Sequence, residues 1–234
     1  MTNLLEVHNI HTFIGQFHIL EGVSLTVPKA SITALLGRNG AGKTTTLKTI
    51  LGLTPPREGE VVFDGLAIQG RQPFDIASLG IGFVPEHRAI FRDLSVLENL
   101  KIAERKKGDL ARKEAFIFKL FPDLKRLIKL PGTNLSGGQQ QMLAVARALV
   151  PDNKLLLIDE PSEGLAPVII EEMMAAIKEL AAETTILLVE QNFLVASRLA
   201  ERYVIVDEGQ SVQTGLMADL VANEAMIHRY LGAA

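Results

Sequence analysis

Gly37-Arg38-Asn39-Gly40-Ala41-Gly42-Lys43-Thr44 matches G-x-x-x-x-G-K-[ST] in full, and its flanks are the ones that pattern needs. Apolar Ile32 to Leu36 precede it, and Thr44 to Leu53 follow with helical periodicity. Glycines let the chain curl so that successive N–H groups face phosphate oxygens. The helix that follows adds the positive end of its dipole. Lys43 brings a mobile point charge for outer phosphates, and the Thr44 hydroxyl suits Mg²⁺. Gly37, Arg38, Asn39, Gly40, Ala41, Gly42, Lys43, Thr44 and Thr45 are therefore expected to hold a nucleoside triphosphate. By itself the loop leaves kinases, GTPases and transport ATPases all open.

Working outward from the loop, Leu4 to Asn9 and Val23 to Val27 alternate apolar and polar residues as half-buried strands do. Val61 to Phe63 reads as another strand, closed by a turn at Asp64-Gly65. Residues 96–129 read as helical and basic, with ten Lys or Arg against four Asp or Glu from Lys101 to Lys129. Few aromatics interleave these charges, so a solvated helical face is preferred to a nucleic-acid patch. Beyond it, Leu155 to Ile158 reads as a buried strand, Val168 to Ala182 as a helix and Thr185 to Val189 as a strand. Leu194 to Arg202 reads as a helix, and Tyr203 to Val206 as a strand before a turn at Glu208-Gly209. Strands and helices alternating around a phosphate loop predict an α/β core with a parallel sheet, interrupted by the basic helical segment.

Composition narrows the classes. The chain of 234 residues has 47% hydrophobic and 22% charged residues, a globular balance. With no cysteine, thiolate metal sites, disulfides and a cysteine nucleophile are all excluded. A net charge of −3 argues against a general nucleic-acid coat. Mean hydropathy is +0.22, yet charged residues interrupt each apolar run before the roughly 20 residues that a membrane span requires. The N-terminus carries Glu6 and lacks a basic-then-apolar signal pattern. The expectation is a soluble, cytoplasmic chain that reaches a membrane only by docking on another protein. His8, His11, His18, His87 and His228 lack metal-ligand spacing and read as surface or packing residues.

Two further motifs choose among the nucleotide-binding classes. In Leu135-Ser136-Gly137-Gly138-Gln139, Ser136 can cap the helix Gln140 to Leu149, and the double glycine lets a ligand approach the backbone. This is a second anion-binding helix start. Leu155-Leu156-Leu157-Ile158-Asp159-Glu160-Pro161 then presents two carboxylates at the C-terminal end of a buried strand, where ligands of open α/β sheets bind. Asp159 is placed to hold Mg²⁺, and Glu160 to act on the attacking water as general base.

Together the three motifs resemble the ATP-binding cassette domain, in order and spacing across essentially the whole chain. The resemblance implies one cassette domain over residues 1–234: a P-loop core with a parallel sheet, an N-terminal antiparallel β subdomain and a helical subdomain inserted at about 87–150. It implies ATP and Mg²⁺ as ligands. It also implies a head-to-tail pair of cassettes, in which ATP lies between the phosphate loop of one and Ser136, Gly137, Gly138 and Gln139 of the other.

Four positions depart from the general family pattern. Glu86 stands where a metal-side Gln is usual, Gln191 where a switch His is usual, and Ala166 where an Asp is usual. The adenine-stacking aromatic falls at Ile14, with Phe13 or Phe17 as the substitute. Glu86, Gly164-Leu165-Ala166-Pro167 and Val189-Glu190-Gln191-Asn192 are similar to the second ATPase subunit of bacterial branched-chain amino acid importers, the LivF type. Arg38 and Glu163-Gly164 give weight to a cousin that serves urea and short-amide uptake. This branch implies two transmembrane permease subunits, a second cassette ATPase or a second copy, and indirectly an external solute-binding protein, with the chain peripheral on the inner membrane face. It implies Glu160 and Gln191 as catalytic and Thr44, Glu86 and Asp159 at the metal. Two rival classes stay open. One is a cassette ATPase acting on nucleic acid or ribosomes, against which the chain has no tandem cassette, coiled coil or zinc insertion. The other is a binding-only subunit, which Gln191 and Ala166 favour and Glu160 opposes.

Overall fold

The computed structural model describes residues 2–232. In chain order, its first half contains β1 (Asn3–Ile14), β2 (Phe17–Pro28), β3 (Ile32–Leu36), α1 (Lys43–Ile50), β4 (Glu58–Phe63), β5 (Leu66–Ala67), α2 (Pro73–Ser78), β6 (Ile81–Val84), α3 (Val96–Lys101), α4 (Asp109–Leu120) and α5 (Pro122–Arg126). The second half contains α6 (Gly137–Leu149), β7 (Leu155–Asp159), α7 (Pro167–Ala181), β8 (Thr185–Glu190), α8 (Phe193–Leu199), β9 (Arg202–Asp207), β10 (Gln210–Leu216), α9 (Met217–Val221) and α10 (Glu224–Leu231).

The strands form two sheets. One is antiparallel, in the order β2-β1-β4-β5. The other runs β10-β9-β3-β8-β7-β6, parallel from β9 to β6 with β10 as an antiparallel edge. Every residue of β3, β7 and β8 is buried, as expected of parallel strands covered on both faces. Strand parity then divides the core. Ile32, Ala34, Leu36, Leu156, Ile158, Ile186 and Leu188 pack with α6, α7 and α8. Leu35, Leu155, Leu157, Leu187 and Val189 face the other way, onto α1 and the antiparallel sheet through Leu47, Ile50, Leu5, Val7 and Phe63. The phosphate loop leaves the central strand β3, and the carboxylates of residues 159–160 leave the second strand over, β7. The parallel sheet therefore aims both at the same edge.

The expected α/β cassette architecture is present, with several local corrections. β1 and β2 run 12 residues each, beyond their alternating stretches, because bulges break the period of two. One of the shifts spans Asn9, whose φ is 46°. Phe83 and Val84 end strand β6, just before Glu86. The basic stretch 96–129 is three helices: Ser95 and Glu98 form a capping box on α3, left-handed Gly108 opens α4, and Pro122 opens α5. Arg202 starts β9 instead of ending a helix. α6 begins at Gly137, three residues before the helix expected from Gln140.

Candidate functional site

The phosphate loop is shaped by what glycine alone permits. At Gly37 a Cβ would lie 2.2 Å from the Val206 carbonyl oxygen on β9, so only glycine lets the chain leave β3 there. Gly42, at φ 109°, is the N-cap of α1 and offers no side chain to the first turn. The N–H groups that open α1 are thus left for an anion. Arg38, Asn39 and Gly40 are exposed, and Thr45 is half-buried. The Arg38 side chain turns to the C-terminal end of α10, where Nη2 donates to the Arg229 carbonyl at 3.4 Å.

Lys43 is 5% exposed. Its Nζ donates to the carbonyls of Gly37 at 2.9 Å and Arg38 at 3.2 Å, and lies 3.1 Å from Glu160 Oε1. Thr44 Oγ1 donates to Asp159 Oδ1 at 3.3 Å. Lys43, Thr44, Asp159 and Glu160 thus meet in one patch, though 115 residues separate Thr44 from Asp159. Glu160 sits at φ 45°, a left-handed conformation that costs a non-glycine residue about 1–3 kcal/mol and concentrates at functional sites. Its N–H donates to the Val189 carbonyl at 2.9 Å, which ties the end of β7 to β8.

Burial pushes the Asp159 carboxyl up to about 6; the Glu160 and Glu86 charges add to this, while the Thr44 hydroxyl and Lys43 oppose it. Thr44, Asp159 and nearby Glu86 are hard oxygen donors, a set that fits Mg²⁺. Among the described residues no three His, Asp or Glu side chains form a metal cluster by themselves. A consequence follows for the metal-free chain. A carboxyl raised from 3.8 to about 6 on folding stabilises below 3.8, and that contribution is lost as pH rises through about 6. Glu190, raised to about 7 chiefly by burial, acts in the same direction. The melting temperature in chelator is expected to fall as pH rises from about 5 to 7, and Asp159→Asn to flatten the part below about 6. A melting temperature that rises over this interval would contradict the assignment.

Ser136 Oγ accepts from the Gln139 N–H at 3.3 Å, and Gln139 Oε1 accepts from the Ser136 N–H at 3.0 Å, a complete capping box on α6. The double glycine also has a packing reason. A Cβ at Gly138 would lie 2.8 Å from the Ile169 side chain on α7, and one at Gly137 would lie 3.1 Å from the Arg88 guanidinium. Gln139 further donates to Asp123 at 3.3 Å. This second helix start bonds to the inserted helices and packs on α7, whereas the phosphate loop bonds to Asp159, Glu160 and α10.

Gln191 is exposed at the end of β8 and shares a recess of about 340 Å³ with Glu160, Ser162, Glu163, Glu190 and Asn192. A larger groove of about 470 Å³ is lined by Glu86, His87, Arg88, Ala89, Ile90, Arg92, Gln140, Glu163 and Gly164. Arg88 and Ala89 hold left-handed backbone there, a strained segment with no signal in the sequence. Ala166, where an Asp is usual, is the N-cap of α7 without a side-chain cap, and Pro167 opens the helix in its place.

Phe13 lies between two neighbours in this structure. His18 stacks on its ring with centroids 4.1 Å apart and planes 6° apart, and the Arg57 guanidinium carbon lies 4.0 Å from the same centroid. Two groups that close to one centroid must take opposite faces, so both faces of Phe13 are covered in this structure. The open apolar side chains of that hairpin are Phe17, 65% exposed, and Ile14, 49% exposed.

The ABC transporter family model matches residues 20–163. The high-affinity branched-chain amino acid transport ATP-binding protein BraG of Pseudomonas aeruginosa is 38% identical over 98% of this chain and 100% of its own length. A nucleotide-free ATP-binding cassette from an ABC transporter superposes with a TM-score of 0.86 at 25% identity, covering all of both chains. The dimeric structure of a post-hydrolysis state of an ATP-binding cassette, bound to ADP and Pi, superposes with a TM-score of 0.80 at 25% identity over 91% of this chain and 98% of that one. No helix among the described residues is long and apolar enough to cross a membrane.

Proposed function

Because the chain belongs to the ABC transporter family, and within it to the ATP-hydrolysing cassettes, we propose that it is the MgATP-driven motor of a branched-chain amino acid importer. Two permease subunits and a second cassette ATPase complete the assembly at the inner face of the membrane. The single observation that carries the hydrolytic role is the meeting of Lys43 with Glu160 beside Thr44 and Asp159. The amino acid reading draws on the likeness to BraG and on residues 164–167 and 189–192.

The N–H groups of residues 40–45 bind phosphate oxygens, and Lys43 exchanges its carboxylate partner for the outer phosphates. That exchange frees Glu160 to align the attacking water and accept its proton. Thr44, Asp159 and Glu86 would hold Mg²⁺, which when bound would neutralise charge on the outer phosphates. Gln191 offers a neutral donor to the terminal phosphate. Ser136, Gly137, Gly138 and Gln139 serve the nucleotide of the second cassette, since one chain carries two separate helix starts for anions. Phosphoryl transfer of this kind depends on positioning and charge more than on covalent chemistry. The groove along Glu86 to Arg92 lies beside the metal-side carboxylate and receives the permease, so closure of the cassettes is passed to the membrane subunits.

The test is uptake of labelled leucine, isoleucine and valine by cells lacking the chain and by cells complemented with it. Loss and restoration of uptake of all three is the expected result. Loss of urea or short-amide uptake instead would transfer the chain to that cousin.

A further inference from the structure

We propose that Glu190 is a positioning residue that ties the loop following Glu160 to the switch segment beginning at Gln191. The tie rests on the reading of Glu160 and Gln191 as the reacting pair, and deepens it.

Glu190 ends β8 and is 2% exposed. Three donors converge on its carboxylate: Oε1 accepts from the Ser162 N–H at 3.2 Å, and Oε2 accepts from the Ser162 hydroxyl at 2.9 Å and the Asn192 N–H at 3.3 Å. Burying a carboxylate is costly, and hydrogen bonds from two segments are what make it tolerable. Its partners flank the chemistry on both sides: Ser162 lies two residues after Glu160, and Asn192 one residue after Gln191. With the Glu160 N–H to Val189 bond, residues 160–162 are joined to residues 189–192 beyond the last β7–β8 pair, Asp159 with Val189. Those ties over-determine the left-handed backbone of Glu160, which by itself would relax. One buried carboxylate therefore fixes Glu160 relative to Gln191, whose side chains share one recess. A misplacement of about 1 Å costs on the order of a hundredfold in rate.

Glu190→Gln keeps the shape but replaces one acceptor oxygen by an NH₂ that must face another donor. The measurements are steady-state ATPase kinetics and amide hydrogen exchange at Ser162 and Asn192, on the full chain assembled with its second cassette, with MgATP. The expected result is a fall in kcat of at least about tenfold with KM within about twofold, and exchange at both amides faster by about tenfold or more. Ser162→Ala, which removes one of the bonds and leaves the buried charge, is expected to fall between wild type and Glu190→Gln. Unchanged kcat, unchanged exchange at these amides, or faster exchange throughout the chain with KM and kcat moving together overturns the tie. If the wild-type pair of cassettes hydrolyses nothing, the reading of Glu160 fails instead, and exchange at Ser162 and Asn192 still decides whether Glu190 joins the two segments.

Discussion

Glu160→Gln is expected to lower ATP turnover by at least about a hundredfold while MgATP binding stays within a few fold of wild type. The substitution keeps size and removes only the basic oxygen and its charge. General-base catalysis by a positioned side chain contributes roughly 10²–10⁴-fold, which sets the size of the loss. Binding survives because Lys43 and the N–H groups of α1 supply it, and Lys43 no longer leaves a carboxylate 3.1 Å away to reach the phosphates. Phosphate release in steady state measures the first quantity and nucleotide titration the second. Undiminished hydrolysis would remove Glu160 from the chemistry and return the binding-only reading to contention.

Lys43→Ala acts through the opposite half of that pair. It removes the buried cation that bonds the carbonyls of Gly37 and Arg38, and leaves Glu160, 12% exposed, facing its neighbours without a counter-charge. MgATP affinity is expected to fall about a hundredfold, in line with the loss of one preorganised charged donor from a closed site, and turnover to become undetectable. Lys43→Arg is expected to restore little, because a planar guanidinium cannot occupy the place of an ammonium that is 5% exposed and shared by two carbonyls. Nucleotide titration of the three proteins checks the order wild type, then Arg, then Ala. Equal affinities would separate Lys43 from the phosphates.

What could be read from the chain was whatever is written in consecutive residues. The phosphate loop, the Ser136 cap with its double glycine and the carboxylates that end β7 are each local, and their geometry follows from glycine conformations and strand ends. The parallel core followed from the mostly apolar runs of β3, β7 and β8, alternating with helical stretches. Bulges in β1 and β2 hid the length of the hairpin, because each one reverses the side that the following residues face. The surroundings of Phe13 were hidden for a different reason: its covering groups, His18 and Arg57, come from a neighbouring strand and from the segment before β4, and no spacing announces them. The bond between Ser162 and Glu190 spans 28 residues and joins two loops that are ordinary when read singly. The missing cap at Ala166 was visible as a departure, but not its relief by Pro167 at the first turn of α7.

The most direct measurement of a motor role is purification of the chain, at native expression, from detergent-solubilised membranes, with everything that accompanies it identified by mass spectrometry. Recovery of a second cassette ATPase and two multi-span proteins is the expected result. Recovery of ribosomes or nucleic acid, or of no membrane protein at all, would contradict it and leave a cassette ATPase that drives something other than transport.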